Sequence, residues 1–357
     1  MSMKCKLCEV NNLDNTGAHY ITESIARSAV SEDNAVGRDN EIMYSLSIAT
    51  LGKNYIGRKI NEEKILEIKG QEMTDKELAE NENMMIDYEL VCRACENKFN
   101  PIETYFISKI LRKQIEVNTE EKETELNNFD YKVTLLFVII NIWRTSVSIK
   151  THFKIKGEYE EKLRILIDKI SDKSIDKIIE SLDFENGILN KIRLASYYLN
   201  QDTGKKSENQ ISITSDSNPI TLILNQLVFL VFFDLKDKFK RTSLIVDFTS
   251  KNKMIELTKS QPNSLKVRYV SDLNRKRTLS RIVNYQIKEL TNQINYIIKT
   301  VHLELYGFEA HKDIYKATKS AIGKIPKGEL NIYTINRIIA EYLLLSGEYY
   351  NRYGIPN

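Results

Sequence analysis

Lys4-Cys5-Lys6-Leu7-Cys8-Glu9-Val10 and Leu90-Val91-Cys92-Arg93-Ala94-Cys95-Glu96 between them hold every cysteine of this 357-residue chain. Each segment is a Cys-x-x-Cys pair. A two-residue gap lets both sulfurs of one knuckle face the same ion, and four thiolates enclose one zinc tetrahedrally. The spacing therefore predicts a structural zinc site with Cys5, Cys8, Cys92 and Cys95 as ligands. Buried thiols without metal, or a redox pair, are the rival readings. A thioredoxin-type pair needs a preceding strand in a βαβ setting, and neither segment has one.

Outward from the knuckles, 83 residues separate Cys8 from Cys92. That gap is long for a simple zinc finger and implies a zinc core with an insertion between its halves. Residues 40–49 and 54–69 mix apolar and polar side chains without one clean period. Residues 71–83 are acidic and polar, which suits a solvated loop or helix. Downstream, Asn100-Pro101-Ile102-Glu103 opens a helix, with Phe106, Ile110, Leu111 and Ile115 at near-helical spacing and Pro101 where a missing N–H is tolerated.

Two further elements complete a pattern. Gly17-Ala18-His19-Tyr20-Ile21-Thr22 follows the first knuckle, and Leu90-Val91-Cys92-Arg93-Ala94-Cys95-Glu96-Asn97-Lys98 contains the second. Over roughly the first 105 residues the chain resembles the HNH endonucleases, the ββα-metal family. The resemblance implies a first knuckle, a short strand ending in a catalytic histidine, and a second knuckle opening a helix. By it, His19 is the general base that activates water for attack on a phosphodiester, with Mg²⁺ or Mn²⁺ beside the scissile phosphate. Glu96 and Asn97 fall where that family places further active-site groups. The family often has Asp or His before the catalytic histidine, where this chain has Ala18; Glu23 and Asp14 are the nearby acids that could substitute. The family's histidine after the last cysteine is here Glu96, an oxygen ligand suited to a hard cation. Other roles stay open: His19 as a structural residue of the zinc core, Glu96 as a helix-start acid, and Arg93 and Lys98 as phosphate contacts or solvated charges.

The second part of the chain reads as mainly helical. Residues 116–128 are acidic and poor in apolar side chains, and mark a domain boundary. Residues 131–148 form an apolar run that predicts a helix buried almost all round. It contains Ile142-Trp143-Arg144-Thr145-Ser146-Val147-Ser148, which is similar to a Trp-Arg-x-Ser-like element in uncharacterised bacterial proteins carrying the same knuckles. Arg144 is either a phosphate ligand or an ion-pair clamp on the zinc module, and Trp143 reads as core. Residues 158–170, 174–182 and 188–199 show helical spacing, with Ser174 as N-cap and Asn186-Gly187 as a turn. Residues 201–210 are a polar loop. Residues 211–214, 220–233, 243–248 and 264–270 read as strands of a small sheet, with a buried helix as the alternative for 220–235. A long helix follows over 273–300, then helices at 315–321 and 332–345. The long helix opens with Arg275, Lys276, Arg277 and Arg281, the best candidate nucleic-acid patch outside the zinc module. His152, His302 and His311 sit in no ligand spacing and read as ordinary residues.

Composition bounds the reading. Hydrophobic residues make up 42% and charged residues 28%, with five Pro and 13 Gly, an ordinary globular balance that excludes collagen-like and linker proteins. The net charge of +3 neither demands nor excludes nucleic acid. No apolar run spans a bilayer and the first residues lack a signal-peptide core, so the expected location is cytoplasmic, away from membranes. P-loop, Gly-rich dinucleotide, kinase and serine-hydrolase signatures are absent. The expectation is an α+β protein: an HNH-like zinc-stapled ββα module over 1–115 and a mostly helical domain with a small β-sheet over 130–357. The activity this implies is a metal-dependent HNH-type nuclease with structural Zn²⁺, DNA ahead of RNA as partner, and service as an anti-phage defence effector. The alternative is a non-catalytic zinc-stapled subunit that binds nucleic acid or docks on protein. A homo-oligomer or a partner subunit is open in both.

Overall fold

The computed structural model describes residues 3–14, 17–30, 42–44, 54–56, 65–66, 72–75, 81, 83, 85–116, 123–151, 153–171, 173–200, 210–213, 219–233, 264–324, 337–342 and 346–347. His152, the run at 243–248 and most of 71–83 and 201–210 lie outside the described residues. The fold is mixed α and β, with the four cysteines gathered near the N-terminus.

The chain divides into two units. One comprises Met1–Glu41 with Glu82–Arg281, the other Ile42–Asn81 with Ile282–Asn357. In the first, β1 (Ala18–His19) pairs antiparallel with β4 (Ile86–Asp87), and α1 (Glu23–Val30) follows β1. After the second knuckle come α2 (Arg93–Glu96), α3 (Asn100–Tyr105), a π-helical stretch (Phe106–Leu111) and α4 (Arg112–Glu116).

The centre of this unit is α5 (Asn128–Val147). Asn127 caps it: its side-chain oxygen accepts from the Asp130 N–H at 2.8 Å, and its amide donates back to the Asp130 carboxylate at 3.2 Å. Burial on nearly every face explains why the run lacks a polar stripe. Its interior polar side chains satisfy themselves one turn back. Thr134 and Thr145 donate to the Asp130 and Asn141 carbonyls, and the Asn141 amide donates to the Phe137 carbonyl. Phe106 stacks on Phe137 at 3.8 Å and lies 6.3 Å from Phe229, so one aromatic row joins the helix behind the zinc knuckle, the central helix and the sheet. α6 (Gly157–Asp168) and α7 (Ile175–Ser181) pack on α5, with Ser174 at the N-cap of α7.

The sheet runs in the order β5 (Glu123–Leu126), β10 (Leu265–Val270), β6 (Arg193–Leu199), β9 (Leu227–Phe232), β8 (Ile220–Leu224), β7 (Ile211–Ile213), with β10 and β6 parallel and the other pairs antiparallel. The apolar run at 220–233 is a hairpin. Leu224 pairs with Leu227, leaving Asn225 and Gln226 as the loop. Asn225 takes φ 59°, a left-handed conformation that Asn tolerates better than most residues. Both strands are buried on both faces, so no polar alternation appears in the sequence.

Two expectations fail. Residues 193–199, within the segment read as a helix, form a central strand. The apolar spacing of Ile188, Leu189, Ile192 and Leu194 imitates a helical face, but pairing with β9 and β10 decides the conformation. Gly187, with φ 68°, is the turn expected there. The acidic stretch at 116–128 contributes the edge strand β5, and Glu123 pairs with Lys266 at 2.9 Å.

In the second unit β2 (Ile42–Tyr44) and β3 (Asn54–Ile56) form an antiparallel pair within the insertion between the knuckles. The long helix α8 (Asp272–Tyr306) extends into this unit from Ile282, and α9 (Lys312–Gly323) follows. His302 is fully buried, with its Nδ1 2.9 Å from the Phe308 carbonyl and its ring against Tyr306 and Phe308. Among the described residues no helix is long and apolar enough to cross a membrane.

Candidate metal centre

The first knuckle is a tight hairpin. Lys4 bridges to Asn12, and Leu13 N–H donates to the Met3 carbonyl. Glu9 closes the turn at φ 57°, its N–H donating to the Cys5 carbonyl at 2.9 Å. The second knuckle starts at the N-cap of α2: Cys92 is extended with ψ 159°, and the Cys95 and Glu96 N–H groups both return to its carbonyl. Two bonds clip the knuckles together. The Lys6 N–H donates to the Leu90 carbonyl at 3.1 Å, and the Arg93 N–H donates to Asp14 Oδ2 at 2.8 Å.

This brings the sulfurs of Cys5, Cys8, Cys92 and Cys95 within 4.8 Å of one another, with no disulfide. A tetrahedral zinc with Zn–S near 2.3 Å needs sulfurs about 3.8 Å apart, so this donor set could close on one zinc. Three of the cysteines are buried and Cys8 is half-buried. A hydrogen bond from Cys95 draws the Cys5 thiol down to about 4, and the same bond together with burial pushes Cys95 up. Leu7 and Leu90 are buried beneath the knuckles, so the site is backed by core.

No family model, curated protein or solved structure matches the chain. The residues around the centre must therefore be read from their own geometry.

His19 ends β1, half-buried, opposite Ile86. Ala18 beside it is buried and has no ligand atom. Gly17, which leads into β1, has φ 67°, and a Cβ there would stand 2.7 Å from Ile86 Cγ2 and 2.9 Å from Tyr88 Cε1. Glu96 points toward Arg144, with 3.8 Å between its Oε1 and Nη1. Burial raises its carboxyl to about 7; Arg144 opposes the shift, while Glu103 and Glu23 add to it. Its second oxygen is buried with no hydrogen-bond partner. Asn97 caps α2, exposed, and Asn100 reaches its Oδ1 at 3.5 Å. The Arg93 side chain is exposed. Lys98 is half-buried and pairs with Asp168 at the end of α6 at 2.7 Å.

Arg144 is the residue of this neighbourhood that sequence reading left between two roles. It is fully buried. Its Nη2 donates to Glu103 Oε1 at 2.5 Å and to Thr22 Oγ1 at 3.1 Å, and its guanidinium lies 4.9 Å from the Phe99 ring centroid. Thr22 also donates to Glu103, and its N–H donates to Asn141 Oδ1 at 2.9 Å. The ion-pair clamp is thus the role its contacts show. Asp87 adds a second tie: buried on β4, it accepts from Ser148 Oγ at 2.7 Å, the Ile149 N–H at 3.0 Å and the Glu89 N–H at 2.8 Å. A polar pair, Asn141 and Arg144, in the most apolar part of the helix was the available signal for the first tie. Asp87 carried none.

The basic start of α8 is divided. Arg275 is buried and pairs with Asp272 at 3.1 Å, and Lys276 reaches the same carboxylate at 2.7 Å, holding it near pKa 2. Arg277 and Arg281, one helical turn apart, are exposed. Among the described residues the four cysteines are the one group whose ligand atoms lie within reach of a single ion.

Proposed function

We propose that this protein is a nuclease of HNH-like type, in which a four-cysteine zinc staple supports a strand–strand–helix element and His19 activates water. One observation carries the reading: β1 ends at His19 and pairs with β4, whose chain runs directly through the second knuckle into the helices. Cys5, Cys8, Cys92 and Cys95 would hold the zinc, which fixes the two chain segments on each other and takes no part in the chemistry. His19 is half-buried at a strand end, and imidazole is the side chain best suited to take a proton from water. Glu96 supports the reading as a half-buried carboxyl whose pKa burial raises to about 7, since groups so perturbed concentrate at functional sites. A catalytic Mg²⁺ or Mn²⁺ has no second group of ligand atoms among the described residues, and none is assigned one.

The second reading is a non-catalytic module that binds nucleic acid, with the exposed Arg277 and Arg281 as its phosphate contacts. The orientation of Glu96 toward buried Arg144 favours it, because that contact serves packing. Anti-phage defence is part of the proposal through the family resemblance alone. The deciding experiment is a cleavage assay on supercoiled plasmid, single-stranded DNA and RNA with Mg²⁺ or Mn²⁺. Under the first reading, cutting occurs and His19→Ala abolishes it while zinc content is unchanged. Cutting that survives His19→Ala removes His19 from the site, and a zinc-loaded chain that binds but never cuts gives the second reading.

A further inference from the structure

We propose that Asn11 is a positioning residue of the metal centre, a neutral donor that holds the second knuckle against the first without ligating the ion. The proposal rests on the four-cysteine reading.

Asn11 touches three of the four cysteines. Its carbonyl accepts from the Cys5 N–H at 2.9 Å, and its own N–H donates to Cys8 Sγ at 3.5 Å. Both contacts are local to the hairpin and follow from its backbone. The third is different: the Asn11 side-chain amide donates to Cys92 Sγ at 3.6 Å, across 81 positions of sequence. It is a side-chain bond from the first knuckle to a sulfur of the second.

Charge gives that bond its purpose. Four thiolates around one Zn²⁺ leave a net charge of about −2, and burial of three of the cysteines keeps water from spreading it. The lysines of the first knuckle are engaged elsewhere, since Lys4 Nζ donates to the Val10 carbonyl and Lys6 Nζ to the Val147 carbonyl, each at 2.7 Å. N–H donors can draw charge off the sulfurs. An amide does this without competing for the ion, as a carboxylate or imidazole at the same position would. Groups that hydrogen-bond to ligands typically change metal affinity by about 10–100-fold when removed.

The test uses Asn11→Leu and Asn11→Asp in the full chain. Asp matches the volume of Asn closely, Leu keeps its branching at Cγ with a larger side chain, and position 11 is exposed, so neither disturbs the core. Zinc affinity is measured by chelator competition, and Co²⁺-substituted protein reports on the sulfurs through its thiolate-to-metal charge-transfer bands. Asn11→Leu is expected to weaken zinc binding about tenfold and to move the cobalt bands to lower energy, because a sulfur without its donor gives up an electron more readily. Asn11→Asp weakens binding further by repulsion. Unchanged affinity and unchanged cobalt bands in both variants would overturn the role of Asn11 and leave the four-cysteine centre standing. A wild-type chain that takes up no zinc, or a Cys92→Ala chain that retains one zinc, overturns the centre itself and this proposal with it.

Discussion

Gly17 shows how much of this module hangs on single backbone positions. Its φ of 67° is left-handed, and a side chain there would collide with Ile86 and Tyr88 of the partner strand region. A left-handed conformation costs an L residue about 1–2 kcal/mol before any collision. Gly17→Ala is therefore expected to destabilise the first unit by about 2 kcal/mol or more, read as a lower denaturant midpoint with an unchanged slope. A midpoint equal to wild type would mean that β1 does not need this approach. At this scale the sequence was informative where chemistry has a fixed spacing. Two Cys-x-x-Cys pairs can be recognised as ligands at any separation, and the structure brings their sulfurs within 4.8 Å. Asn11 was not legible, because its contact with Cys92 crosses 81 positions and obeys no motif.

At the scale of elements, α5 is where the zinc module meets the helical body. Arg144, Asn141 and Thr22 form one buried hydrogen-bonded group with Glu103, and Asp87 repeats the tie from β4 to the end of the helix. Removing one member of a buried ion pair strands the other. Arg144→Met keeps much of the volume but leaves Glu103 and Glu96 without their cation. The expected loss is about 3 kcal/mol, toward the low end for such pairs because Glu103 is 17% exposed. Chemical denaturation checks it, and Glu103→Gln, which keeps a hydrogen-bond acceptor for Arg144, should cost less. Equal losses in the two variants would argue against the ion pair as the tie. The helix itself was readable from its apolar run at 131–148. The run at 220–233 was readable as part of a small sheet or hairpin, with a buried helix as the alternative, and pairing of Leu224 with Leu227 decides for the hairpin. Strand β6 was not readable, because its apolar residues fit both periods and only its neighbours in the sheet choose between them.

For the molecule as a whole, the basic start of α8 is the surface on which nucleic-acid binding is testable. Arg277 and Arg281 remain exposed while Arg275 and Lys276 are engaged by Asp272. If this surface binds nucleic acid, Arg277→Glu with Arg281→Glu should weaken binding at low salt and flatten the slope of log affinity against log salt by about 2, one step of about 0.9 for each lost phosphate contact. Fluorescence anisotropy over a salt series measures both, and unchanged affinity at low salt would remove this surface from consideration. The amino-acid sequence alone determined the four cysteines as a candidate ligand set, the α+β class and the buried central helix. Each rests on local chemistry: ligand spacing and the pattern of apolar runs. Tertiary structure alone decided that 193–199 is a strand, that buried Arg144 clamps the carboxylates of Glu103 and Glu96, and that the insertion between the knuckles groups with the C-terminal segment. Those outcomes depend on contacts between residues far apart in the chain, whose energies no local pattern contains.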